Sequence, residues 1–117
     1  MNPYILVVDD DAEVRKLYSL MLTDEGAFVV EASNGASGLQ SVSDRRPDLI
    51  ITDLGMPVMD GFDFLRFRNE DPQLAAVPVV LVTNAKPHER PTTGVNDVVR
   101  KPIDIDEILF AIKRYCA

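Results

Sequence analysis

Tyr4-Ile5-Leu6-Val7-Val8-Asp9-Asp10-Asp11 is an unbroken apolar run that stops on three successive aspartates. A short run without polar alternation reads as a strand buried on both faces, with its charges left at the carboxyl end. The period then changes. Val14, Leu17, Tyr18, Met21 and Leu22 recur at helical spacing and predict one apolar helix face, with Gly26 as its stop.

The same alternation runs to the end of the chain. Phe28-Val29-Val30 reads as a second strand, Asn34 as a helix cap, and Ala36, Leu39 and Val42 as the face of a short helix. Leu49-Ile50-Ile51-Thr52 predicts a third strand ending at Asp53, followed by a helix from near Gly61 that buries Phe62 and Leu65. Phe64 and Phe67 cannot both share that face, and packing against a neighbouring helix is the expected fate of the other rings. Val79-Val80-Leu81-Val82 predicts a fourth strand ending at Thr83, and Asp97-Val98-Val99-Arg100 a fifth ending at Lys101. Asp104 and Glu107 form a capping pair for a last helix whose face is Ile105, Ile108, Leu109 and Ile112. Strands alternating with helices imply an α/β fold, a doubly wound, flavodoxin-like parallel sheet with helices on both faces. Ligands of such sheets bind beyond the carboxyl ends of the strands.

Bulk properties narrow the function. At 117 residues, 46% hydrophobic and 26% charged, the chain reads as one domain spanning residues 1–117. A net charge of −7 argues against non-specific nucleic-acid binding and disfavours anionic membranes, so neither nucleic acid nor membrane is expected as a partner. With no secretory signal, no spanning run and one cysteine, Cys116, the expected location is the cytoplasm. His88 is the single histidine, and its Pro-rich surroundings predict an exposed, inert side chain.

The strand ends carry the chemistry. Asp9, Asp10 and Asp11 follow strand one, Asp53 strand three, Thr83 strand four and Lys101 strand five. Each alone has an ordinary explanation, and Asp11 reads as a helix cap. Together they bring carboxylates, a hydroxyl and an ammonium to one crevice. Packed carboxylates repel unless a cation sits among them, and hard oxygen donors suit Mg²⁺.

The strand-one acids, the run Thr52-Asp53-Leu54-Gly55-Met56-Pro57-Val58-Met59-Asp60-Gly61, Thr83 and Lys101-Pro102 resemble a response-regulator receiver domain over almost the whole chain. The resemblance implies strand order 2-1-3-4-5 and a phosphoacceptor role in two-component signalling. Asp53 would become the aspartyl phosphate, with a partner's phosphohistidine, on a histidine kinase or histidine phosphotransfer protein, as donor. Asp9, Asp10, Asp53 and the Gly55 carbonyl would hold Mg²⁺ or Mn²⁺. Thr83 and Lys101 would bind phosphoryl oxygens, and Lys101-Pro102 would be cis. The protein would be no enzyme beyond its own phosphoryl transfer and autodephosphorylation. Its phosphorylated form would signal to a downstream protein by a shift between conformations.

Three positions depart from the family pattern. Thr83 and Gly94 are eleven positions apart, about one helical turn short of the family's crossover. With Pro87 and Pro91 at about 3 kcal/mol per interior proline, the fourth helix of the family is expected to be short or irregular here. Val98 replaces the aromatic switch residue and Asn84 replaces a small residue, so both bear on signal output rather than on acceptor chemistry. Two other readings stand beside this one. A pseudo-receiver would bind partners without phosphorylation. A haloacid-dehalogenase-type phosphohydrolase would use Asp9 and Asp11, but leaves the Asp53 loop unexplained.

Overall fold

The computed structural model describes residues 2–91 and 93–116. The opening apolar run forms β1 (Tyr4–Val8), an interior strand of a parallel sheet completed by β2 (Phe28–Ala32), β3 (Leu49–Thr52), β4 (Val79–Thr83) and β5 (Asp97–Arg100). The strand order is β2-β1-β3-β4-β5, the doubly wound flavodoxin-like arrangement. Four helices, α1 (Ala12–Asp24), α2 (Gly35–Asp44), α3 (Gly61–Glu70) and α4 (Ile105–Tyr115), cover the two faces. Among the described residues no helix is long and apolar enough to cross a membrane.

Strand alternation divides the core. Ile5, Val7, Leu49, Ile51, Val80 and Val82 point to one face and pack with Tyr18 and Leu22 of α1 and Ile108 and Ala111 of α4. Leu6, Val8, Ile50 and Val79 point to the other and meet Val42 of α2 with Phe64 and Leu65 of α3. Because β1, β3 and β4 are buried on both faces, they contain no polar alternation.

The helix ends follow local chemistry. Asp11 caps α1, its Oδ1 accepting from the amides of Glu13 and Val14 at 3.0 and 3.3 Å. Gly26, at φ 94°, reverses the chain while its amide and that of Ala27 satisfy the carbonyls of Thr23 and Leu22. Asn34 accepts from Ser37 to cap α2, and Asp104 accepts from Asp106 to cap α4.

Three packing expectations need correction. Phe62 is 45% exposed, and Phe64 takes the core position of α3. The reason lies on α2, whose Gly38 leaves room for that ring: a Cβ there would sit 2.9 Å from Phe64 Cε1. Correspondingly, the buried face of α2 is Gly35, Gly38 and Val42, and Ala36 is exposed. On α1 the buried pair is Tyr18 and Leu22, four residues apart, which leaves Leu17 a third of a turn away and 45% exposed.

Between β4 and β5 the only helical element among the described residues is a 3₁₀ turn at Pro87–Glu89. This matches the expectation from the prolines, with residue 92 of that segment outside the description. Polar side chains hold the segment instead of an apolar helix face. Asn96 accepts from the Val79 amide at 2.9 Å, and Asn69 donates to the Thr93 carbonyl at 3.2 Å. The buried Arg68 guanidinium donates to the carbonyls of Val77 and Gly94 and to Asn69 Oδ1. Burial holds its pKa below the usual arginine value.

Candidate functional site

Register brings the site together. Val8 on β1 is paired with Thr52 on β3, so Asp9 and Asp53 leave adjacent strands at the same level. The Asp53 amide continues the ladder to the Val8 carbonyl at 3.1 Å, and the Asp9 amide does the same to Ala32. Thr83 is paired with Arg100, which delivers Lys101 beside β4 at the same edge. Asp9, Asp53 and Thr83 are buried, while Asp10 is exposed.

The carboxylate of Asp53 is fixed by two donors. Its Oδ1 accepts from the Leu54 amide at 2.7 Å, and its Oδ2 meets Lys101 Nζ at 2.7 Å. The Lys101-Pro102 peptide is cis. Asp9 Oδ1 accepts from the Asp11 amide at 2.9 Å. Thr83 Oγ1 accepts from the Ala85 amide at 3.0 Å, which leaves its own O–H free to donate.

Carboxylate oxygens of Asp9, Asp10 and Asp53 lie within 4.8 Å of one another. Burial, with the charges of Asp53 and Asp10, raises the pKa of Asp9 against the opposing effects of the Asp11 amide and Lys101. For Lys101, burial works to lower the pKa, but the hydrogen bond to Asp53 and the charges of Asp53, Asp9 and Asp10 raise it overall. The cluster therefore holds more negative charge than Lys101 offsets. Three hard oxygen donors with surplus negative charge fit a divalent cation of the Mg²⁺ type. The Asp11 carboxylate is committed to the helix cap, and only its backbone amide reaches the cluster, through Asp9.

The loop after Asp53 is shaped by close packing. Gly61 at the start of α3 donates its amide to the Leu54 carbonyl at 2.8 Å, and a Cβ on it would collide with the Asp53 carbonyl oxygen. Gly55, by contrast, is exposed and a Cβ there would meet nothing within 4 Å. Val58 adopts φ 67°, with the Met59 amide closing onto the Pro57 carbonyl at 2.7 Å across it. For a β-branched residue that backbone is strained.

Asn84 is exposed at the mouth of the β4 end, and Val98 is half-buried opposite Leu81 on β5. Neither makes a side-chain hydrogen bond into the acid cluster among the described residues. His88 is exposed on the 3₁₀ turn. Two residues at the site carry no functional signal in the linear pattern. Arg15 donates from Nη1 to the Asp9 carbonyl at 2.7 Å, and Tyr18 is buried with its hydroxyl unpartnered. Burial, then the charges of Asp9 and Asp53, raises the phenol pKa. Spacing places Tyr18 on the apolar face of α1 and says nothing of Arg15. Only the docking of α1 on β1 brings them to the acids.

A family profile for the response regulator receiver domain matches residues 5–113. The chain is 34% identical to sporulation initiation phosphotransferase F of Bacillus subtilis, covering 98% of this chain and 94% of that protein. It is 37% identical to an uncharacterised 14.6 kDa protein of Leptolyngbya boryana over 96% of this chain and 88% of the other. Among solved structures, the chemotaxis response regulator CheY4 of Vibrio cholerae superimposes with a TM-score of 0.90 at 28% identity, covering 98% and 99% of the two chains.

Proposed function

The chain belongs to the response regulator receiver family, and from that membership we propose that it is a phosphoacceptor whose Asp53 takes a phosphoryl group from a partner's phosphohistidine. The observation that carries this reading is Asp53 itself, a buried carboxylate held by Lys101 at 2.7 Å beside two further acids. The donor is a histidine kinase or a histidine phosphotransfer protein, since the one histidine of this chain lies exposed in the 84–96 segment. The product signals to a downstream protein by shifting a conformational equilibrium, in the cytoplasm.

A carboxylate oxygen attacks through its own lone pair and requires no general base to free a hydroxyl or amine proton. The Leu54 amide orients Asp53 through Oδ1, while Oδ2 attacks phosphorus as Lys101 moves from that oxygen to a phosphoryl oxygen. The new O–P bond forms as the P–N bond of the donor breaks, its electron pair returning to the imidazole. Thr83, whose oxygen is anchored by the Ala85 amide, aims its free O–H at a second phosphoryl oxygen. Asp9, Asp10, Asp53 and the Gly55 carbonyl would hold a divalent cation, Mg²⁺ or Mn²⁺, which supplies charge neutralisation for the equatorial oxygens. The protein's only catalysis is this transfer to itself and the later hydrolysis of the aspartyl phosphate, in which water attacks phosphorus and the O–P bond breaks to return the Asp53 carboxylate and inorganic phosphate.

The test is incubation with a small acyl phosphate and MgCl₂, read by intact mass. One phosphoryl adduct is expected on the natural sequence and none on Asp53→Asn; equal labelling of both would sink the assignment. The irregular crossover and Val98 favour a second reading, a pseudo-receiver that docks without phosphorylation. An unlabelled natural sequence that still binds its partner would establish it.

A further inference from the structure

Arg15 lies one turn beyond the cap of α1, and its guanidinium reaches in two directions. Nη1 donates to the backbone carbonyl of Asp9 at 2.7 Å, and Nε pairs with Glu31 Oε1 at 3.3 Å. The other oxygen of Glu31 accepts from Ser19 Oγ at 2.9 Å. Glu31 stands on the edge strand β2 opposite Val7, so the chain Ser19–Glu31–Arg15–Asp9 bridges α1, β2 and the end of β1. Arg15 is the better buried partner, with its side chain 18% exposed against 41% for Glu31.

The carbonyl that Arg15 grips belongs to the peptide joining Asp9 to Asp10. The plane of that peptide sets the direction in which the Asp10 side chain leaves the backbone. Asp9 has its own restraint in the Asp11 amide, but no hydrogen bond holds the exposed Asp10 carboxylate among the described residues. A charged donor at 2.7 Å on a partly buried carbonyl is a strong restraint, stronger than the exposed ion pair with Glu31 taken alone. The ion pair has a different consequence. It draws the guanidinium toward β2, away from the carboxylates with which a free arginine would pair.

We propose that Arg15 is a positioning residue for the cation site, holding the Asp9–Asp10 peptide in its ligating orientation, and that Glu31 and Ser19 act only by holding Arg15. This rests on the reading of Asp9 and Asp10 as cation ligands. A purely electrostatic role predicts the opposite sign, because removing a positive charge beside three carboxylates tightens cation binding.

The experiment is a calorimetric titration of the full chain with MgCl₂, alongside thermal unfolding in chelator. Arg15→Met keeps the apolar stem and removes every donor; its Mg²⁺ Kd is expected to rise about tenfold, the loss of one charge-assisted hydrogen bond. Glu31→Ala is expected to raise Kd about threefold, and the double variant to match Arg15→Met alone, since Glu31 works through Arg15. Arg66→Met, which removes the surface pair with Asp63 on α3, serves as the control and should leave Kd unchanged. Unchanged or tighter binding by Arg15→Met overturns the proposal. So does an equal loss in Arg66→Met, or a double variant whose loss is the product of the two singles. If the natural sequence itself binds no Mg²⁺, the cation-site reading falls and the positioning role of Arg15 with it, so the two failures are told apart.

Discussion

Gly61→Ala puts the geometry of the Asp53 loop under direct strain. The added methyl would collide with the Asp53 carbonyl oxygen and lie 2.8 Å from Leu54 Cα and 3.1 Å from the Asp53 carbonyl carbon. All three are backbone atoms, so no rotamer change relieves the clash. Restoring ordinary contact of about 3.5–4 Å requires α3 and the Asp53–Leu54 peptide to separate by about 1 Å. Overpacking of this kind costs about 1–3 kcal/mol, a fall in Tm of about 4–12 °C for a domain of this size. The displaced peptide carries both Asp53, the proposed phosphoacceptor, and the Leu54 amide that orients it, and a 1 Å error in a reacting group costs about a hundredfold in rate. Phosphorylation by an acyl phosphate with Mg²⁺ reads the rate, and calorimetry reads the Tm. Gly55→Ala is the matched stability control, because neither glycine has positive φ and a Cβ at Gly55 meets nothing. Its stability should stay within about 0.5 kcal/mol of the natural sequence. Gly61→Ala with unchanged Tm and rate, or an equal loss of stability in Gly55→Ala, would refute the steric argument.

Other outcomes follow from the charge cluster and the strained turn. The pKa of Asp9 is raised in the folded chain above its ordinary 3.8, chiefly by burial. The folded state therefore holds that proton more tightly, so the group's contribution to stability is present below about pH 4 and lost as pH rises toward the folded pKa. Asp9→Asn keeps the acceptor for the Asp11 amide and removes this loss. Denaturation in chelator should show the variant gaining on the natural sequence as pH rises above about 4, while losing any Tm increase that the proposed Mg²⁺ binding gives through mass action. No gain with pH would remove the cluster as the source of the shift. Val58, with φ 67° and 86% exposed, carries strain without packing to offset it. Val58→Gly should raise stability by about 1 kcal/mol in urea titration, and a loss of stability would show that the turn is not strained.

Much of the architecture was legible because burial on both faces leaves a signature in one dimension. The positions of β1, β3, β4 and β5 are legible in the linear pattern, as are Asp11, Asn34 and Asp104 as caps, since each depends on neighbours in sequence. The irregular crossover was equally local, following from Pro87 and Pro91. Phe62, Leu17 and Ala36 were misplaced for the opposite reason. Which face of a helix is buried depends on what lies beneath it, and the hole that Gly38 leaves for Phe64 is on another helix.

The apolar run ending in Asp9-Asp10-Asp11 thus determined by itself that a buried parallel strand delivers acids to one edge of a sheet. Residue order also determined that Asp53, Thr83 and Lys101 stand at the ends of other strands. Tertiary structure alone decided the distances: the strand register that sets Asp9 beside Asp53, the 2.7 Å contact from Lys101, and the reach of Arg15 to the Asp9 carbonyl. Strand identity is written in local periodicity, whereas a contact between residues 48 apart exists only once the whole sheet has formed around it.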